Sequence, residues 1–266
     1  MQLHSALRSL RHRNFRLFII GQGISLIGTW MQQVAMSWLV YRLTHSVMLL
    51  GTVACLGQLP TLFFSPVAGV LADRYDKRKL IIATQMLAMT QAALLAFVVM
   101  NGTVQVWHII VLGVLLGFAN AFDMPIRQSF VVEMLGDRAD LANAIALNSS
   151  MVNVARLIGP TAAGLLLAAV GEGPCFLINA LSFLAVLVAL FAMDTKPAHS
   201  NRNRESLVNG LKAGFAYIKT TPPIGQIIML LGLVSLTGMS FQVLMPAYVK
   251  DILGGGPRAL DRKSVV

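Results

Sequence analysis

The charged residues of this sequence cluster between long stretches that hold almost none, and that pattern fixes the solvent the chain must live in. Seven such stretches, approximately 15–41, 46–72, 79–100, 106–134, 141–170, 174–193 and 224–249, are long and apolar enough to span a bilayer. Hydrocarbon offers the backbone no hydrogen-bond partner, so a spanning segment must satisfy its own amides and carbonyls, which a helix does internally. The period-two alternation of a membrane barrel is missing. Charged residues make up 12% of the chain, against roughly 25% in soluble domains. The sequence therefore predicts an all-α membrane protein.

The net charge of +10 reads as topology. Arg8, Arg11, Arg13 and Arg16 precede the first span, and Arg74, Lys77, Arg78 and Lys79 join the second to the third. Arg138 follows the fourth, and Lys196, Arg202, Arg204, Lys212 and Lys219 follow the sixth. Those fourteen share one side, against Arg42, Lys250 and Arg258 on the other. The positive-inside rule then places the N-terminus in the cytoplasm and the chain in the cytoplasmic membrane. Charge so distributed is no nucleic-acid footprint. The apolar stretch after the basic start is too long for a signal peptide, so the first span is expected to remain. Cys55 and Cys175 read as small packing residues, not a disulfide or metal pair.

Residues 1–193 are expected to form a six-helix bundle, 194–223 a cytoplasmic linker, and 224–260 the first helix of a second bundle. Within the linker, Leu207, Leu211, Phe215 and Ile218 recur at helical spacing, as in an amphipathic surface helix. Gln33-Val34-Ala35-Met36 is echoed by Gln242-Val243-Leu244-Met245, the trace a parallel repeat would leave. Residues 261–266 read as a tail foreign to the fold, and the chain is expected to be truncated after the seventh span and inactive alone.

The sharpest motif joins the second and third spans: Gly69, then Asp73-Arg74, then Lys77-Arg78-Lys79. Gly69 permits close helix approach, and Asp73 can pair with a basic residue or a helix N-terminus. This segment resembles the signature loop of the major facilitator superfamily. Asp123-Met124-Pro125-Ile126-Arg127-Gln128, with Asn148-Ser149-Ser150, Asn153, Arg156 and Gly159-Pro160, is similar to the enterobactin-exporter-like branch. Gly159, Pro160 and Gly164 also resemble the helix-five motif of antiporters. The resemblance implies a twelve-helix fold of two halves, alternating access, proton-driven export of siderophore- or drug-like molecules, and conformational gating by Gly69, Asp73, Arg74, Arg78, Gly159, Pro160 and Gly164. It covers residues 13 to about 260.

The residues themselves support a polar pathway. Gln22, Ser25, Thr29, Gln32 and Gln33 fall within one arc of the first span. Asn120, Asp123 and Arg127 share a face of the fourth, Ser149, Asn153, Arg156 and Pro160 one of the fifth, with a weaker stripe at Gln58, Thr61 and Ser65 in the second. A polar stripe on a spanning helix points at protein or at a water-filled cavity. Asp123 and Arg127, one turn apart, are expected to pair if the fourth helix continues through Pro125. Arg156 is expected to join them. Asp123 is the candidate proton carrier, with Glu133 near the inner end. His45 and His108 fall at outer helix ends. The sequence shows no His-Glu-x-x-His, no paired intramembrane aspartates and no nucleophile with a base, so it predicts neither an enzyme nor a cofactor or metal site. The expected partners are lipid, a small-molecule substrate and protons. An importer of the same superfamily and a non-transporting membrane scaffold are the rival readings.

Overall fold

The computed structural model describes residues 8–135, 140–194, 216–238 and 248. A 3-10 turn, Arg8–Arg11, leads into α1 (Arg13–Thr44), α2 (Val47–Arg74), α3 (Lys77–Met100), α4 (Val106–Met134), α5 (Leu141–Val170), α6 (Glu172–Ala192) and α7 (Pro222–Gly238). The expected spans and these helices agree to within a few residues at each end through α6. Beyond Gly238, the rest of the expected seventh span apart from Tyr248, the Gln242 echo and the tail lie outside the described residues, as does the linker between 195 and 215.

The helix ends follow from local chemistry. Ser46 caps α2 by accepting from the Leu49 amide at 3.3 Å, and Asp76 caps α3 through the Lys79 amide at 3.3 Å. His45, at φ 49°, terminates α1, and Gly102, at φ 71°, turns the chain between α3 and α4. Pro125 lies inside a continuous α4, the condition on which the Asp123–Arg127 pair was expected.

Five helices, α2 to α6, are long and apolar enough to cross a membrane. At 32 residues α1 is long enough as well, but Gln22, Ser25, Thr29, Gln32 and Gln33 dilute its apolar character. The packing sequence is α5 on α1, α1 on α6, α6 on α3, α3 on α4, and α4 on α2. In lipid such contacts depend on close-fitting surfaces. A β-carbon on Gly117 of α4 would collide with the Gly57 carbonyl of α2, and one on Gly159 of α5 with Trp30 of α1. These two glycines are the close-approach points of their helix pairs. Gly69 is not: a β-carbon there would meet nothing within 4 Å. Its expected part in a close helix contact therefore has no partner among the described residues. Cys55 is exposed and Cys175 buried, both as free thiols, so only Cys175 packs as expected.

Polar contacts close both ends. At the basic end, Arg8 and His12 reach Asp140 at 2.7 and 3.0 Å, and the Ser9 amide and hydroxyl donate to Asn143 at 3.0 and 2.7 Å. Lys77 pairs with Glu133 at 2.9 Å. At the opposite end Arg42 holds Glu172 at 2.7 Å, tying the end of α1 to the start of α6.

Candidate functional site

Asp123 sits inside α4 with 6% of its surface exposed. Its Oδ1 accepts from Thr84 Oγ1 at 3.0 Å and Gln85 Nε2 at 2.8 Å, both on α3. Its Oδ2 faces Arg127 Nη2 at 3.3 Å, one turn along the same helix. A carboxylate that deep needs such donors to satisfy its oxygens. The pair expected from the i, i+4 spacing is present. Thr84 and Gln85 were not among the expected residues, although two polar side chains at the start of an apolar span were a visible signal.

Arg156 does not join that unit. Its guanidinium lies 4.9 Å over the ring of Trp30 on α1. The expectation failed because helical spacing fixes faces within one helix, whereas the partner of α5 is α1, not α4.

The arc of α1 divides in two. Gln22, Ser25 and Gln32 are buried, at 2, 1 and 1% exposure, whereas Thr29 is half-buried and Gln33 exposed. Gln32 donates to Gln91 Oε1 of α3 at 2.9 Å and accepts from Asn179 Nδ2 of α6 at 2.7 Å. Ser182 extends the chain by donating to Asn179 Oδ1 at 3.1 Å. Gln22, Ser25 and Gln32 thus face packed protein here, not an open cavity, because an arc of about 100° is wide enough to straddle a packed side and an open one. Gln91, Asn179 and Ser182 were missed; each is one of few polar residues in an apolar run.

Among the polar side chains expected to line a pathway, Gln33 on α1, Gln58 on α2, Asn120 on α4, and Ser149, Asn153 and Arg156 on α5 are exposed, whereas Thr61 and Ser65 are half-buried. In the motif at the α2–α3 connection, Asp73 is exposed and Arg74 half-buried. Arg78 donates through Nη2 to the Phe191 carbonyl at the end of α6, at 3.2 Å. Pro160 lies inside α5 and Gly164 is buried on it. A separate depression of about 280 Å³, lined by His12, Arg13, Asn14, Met134 and Asp194, opens at the basic end. None of the expected site residues lines it.

Residues 4–260 match the family model described as transmembrane secretion effector. The chain belongs to that family. The transmembrane secretion effectors are transporters of the major facilitator superfamily, which agrees with the loop motif and the helical bundle. Over 245 residues the chain is 29% identical to a staphyloferrin A transporter of Staphylococcus aureus, covering 90% of this chain and 60% of the relative. It is 24% identical to macrolide efflux protein A of Streptococcus pyogenes, covering 89% and 59%. It is 27% identical over 244 residues to the multidrug efflux pump Tap of Mycobacterium tuberculosis, covering 87% and 55%. This secretion-effector chain therefore spans somewhat over half the length of these relatives. Within it, the buried Gln32, Gln91, Asn179 and Asp123 join helices through hydrogen bonds, whereas Gln33, Gln58, Asn120, Ser149, Asn153 and Arg156 stay exposed.

Proposed function

We propose that this chain supplies one wall of the pathway of a proton-coupled exporter that moves a siderophore- or drug-like small molecule by alternating access. The observation that carries the reading is a set of polar side chains exposed toward the middle of their spans: Gln33, Gln58, Asn120, Ser149, Asn153 and Arg156. Exposed to lipid, such groups cost several kcal/mol each, roughly 2.5–3.5 for an arginine at the bilayer centre. Facing a second bundle across water, they are stable and can bind a solute. Export as the direction draws on the efflux named for two of the relatives, and the enterobactin-exporter-like branch on the Asp123–Gln128 segment.

Asp123 is the proton carrier in this reading. It is the acid near the middle of α4, and its neighbours Thr84, Gln85 and Arg127 can re-pair when it takes up a proton. Asp73, Arg74 and Arg78 act on the conformational equilibrium at the cytoplasmic end, with Gly159, Pro160 and Gly164 setting the α1–α5 contact. A linker joins residues 1–193 to the second bundle, whose first helix starts as α7 at Pro222.

The test joins this chain to the C-terminal portion of the S. aureus relative, in bacteria lacking their main drug exporters. Three dyes report efflux: fluorescein as an anion, a neutral coumarin, and ethidium as a cation. Faster extrusion of at least one dye, abolished by collapsing the proton gradient, is the expected result. Accumulation driven inward by the gradient would establish an importer, and indifference to the chain would leave a scaffold.

A further inference from the structure

Two arginines lie well inside the spanning helices, and their settings differ. Arg127 has the Asp123 carboxylate at 3.3 Å. Arg156, at the middle of the 30-residue α5, has no carboxylate within ion-pair distance among the described residues. A lone cation there is costly unless something meets it.

The geometry around Arg156 is that of a prepared donor. Gly159, one turn further on, rests on Trp30, so the α1–α5 crossing fixes where Arg156 stands. Its guanidinium uses one flat face against the Trp30 ring, at 4.9 Å. Stacking of this kind leaves the in-plane N–H groups at the rim unused, and the side chain is exposed. Pro160 has no amide hydrogen to give to the Arg156 carbonyl four residues back, so an acceptor opens beside the donors. Asn153, one turn earlier and also exposed, adds an amide.

We propose that Arg156, stacked on Trp30, binds the carboxylate of a small organic anion, which is then the substrate class of the export pathway; the inference rests on that reading. The planar rim of the guanidinium takes the two carboxylate oxygens side by side. Asn153 and the Arg156 carbonyl take a neighbouring polar group of the same molecule. Asp123 and Arg127, already paired, leave this site as the place where the wall offers a net positive charge.

The experiment uses the full chain in lipid nanodiscs, with Trp38→Phe and Trp107→Phe leaving Trp30 as the fluorophore. Three probes of matched size differ in charge: 4-iodobenzoate, 4-iodobenzamide and 4-iodobenzylammonium, whose iodine quenches a nearby indole. The benzoate should half-saturate the quench at about a tenfold lower concentration than the amide, the ammonium at a higher one. Arg156→Gln should remove the difference, and Arg156→Lys should keep part of it. Equal quenching by all three probes on the unsubstituted Arg156 chain overturns the proposal whether or not Arg156→Gln folds. So does a benzoate preference that survives Arg156→Gln, and an acid elsewhere in the protein that occupies Arg156 would give the first of these results. Benzoate binding without dye efflux contradicts the export reading alone, and efflux without the preference contradicts this site alone.

Discussion

Asp123 and Arg127 stand one turn apart on α4, with Oδ2 and Nη2 3.3 Å from each other, and both Asp123 oxygens are engaged. Removing either partner strands the other charge inside the bundle, which costs about 3–5 kcal/mol for a buried pair. Asp123→Asn should therefore lower the stability of the purified chain by that order in denaturant titration. Asp123→Asn with Arg127→Gln should cost less than the sum of the two single changes. Strict additivity would mean that the two groups do not interact.

Gln32 bridges Gln91 and Asn179 between α1, α3 and α6. Truncating it to alanine leaves two buried amides short of a partner, at about 1–3 kcal/mol. Gln32→Ala should lower the unfolding temperature and leave the order of preference among transported dyes unchanged. A changed preference at unchanged stability would put Gln32 in the pathway.

The two glycine positions separate packing from motif. A β-carbon at Gly117 has to displace the Gly57 backbone, so Gly117→Ala should destabilise by about 1–3 kcal/mol. At Gly69 the space is open, and Gly69→Ala should be neutral or gain up to about 1 kcal/mol from helix propensity. Unfolding of both variants in mixed micelles gives the comparison. A larger loss at Gly69 would require a close partner for α2 beyond the residues described.

Sidedness is tested at two exposed positions, Asn101 after α3 and Tyr75 after α2. In a background with Cys55 and Cys175 replaced, a cysteine at 101 should react with an impermeant maleimide added to whole cells. One at 75 should react after the cells are opened. Glu172 is a poor reporter, because it is buried against Arg42. Labelling of position 75 in intact cells would invert the orientation.

The limits of α1 to α6 were legible because the cost of charge and of unpaired backbone in hydrocarbon is set by residue type alone. The Asp123–Arg127 pair was legible for the same local reason, a fixed i, i+4 geometry. What spacing within a helix cannot carry is which neighbour each face meets. Hence Arg156 was assigned to Asp123 but rests on Trp30, and Gln22, Ser25 and Gln32 were assigned to an open cavity but are buried in the bundle. Gly117 looked like any other small residue of an apolar run. The α2–α4 crossing, a tertiary fact, is what makes it a contact point.

Proton-coupled export with Asp123 as the carrier is tested most directly in everted membrane vesicles. These hold the chain joined to a second bundle, with respiration acidifying the interior and acridine orange reporting the gradient. Adding a transported dye to the medium should partly restore the fluorescence, as protons leave in exchange for the entering dye. Vesicles with Asp123→Asn, matched for the amount of protein, should show no such recovery while still binding the dye. Full recovery with Asp123→Asn, or none with Asp123 in place, would contradict the account.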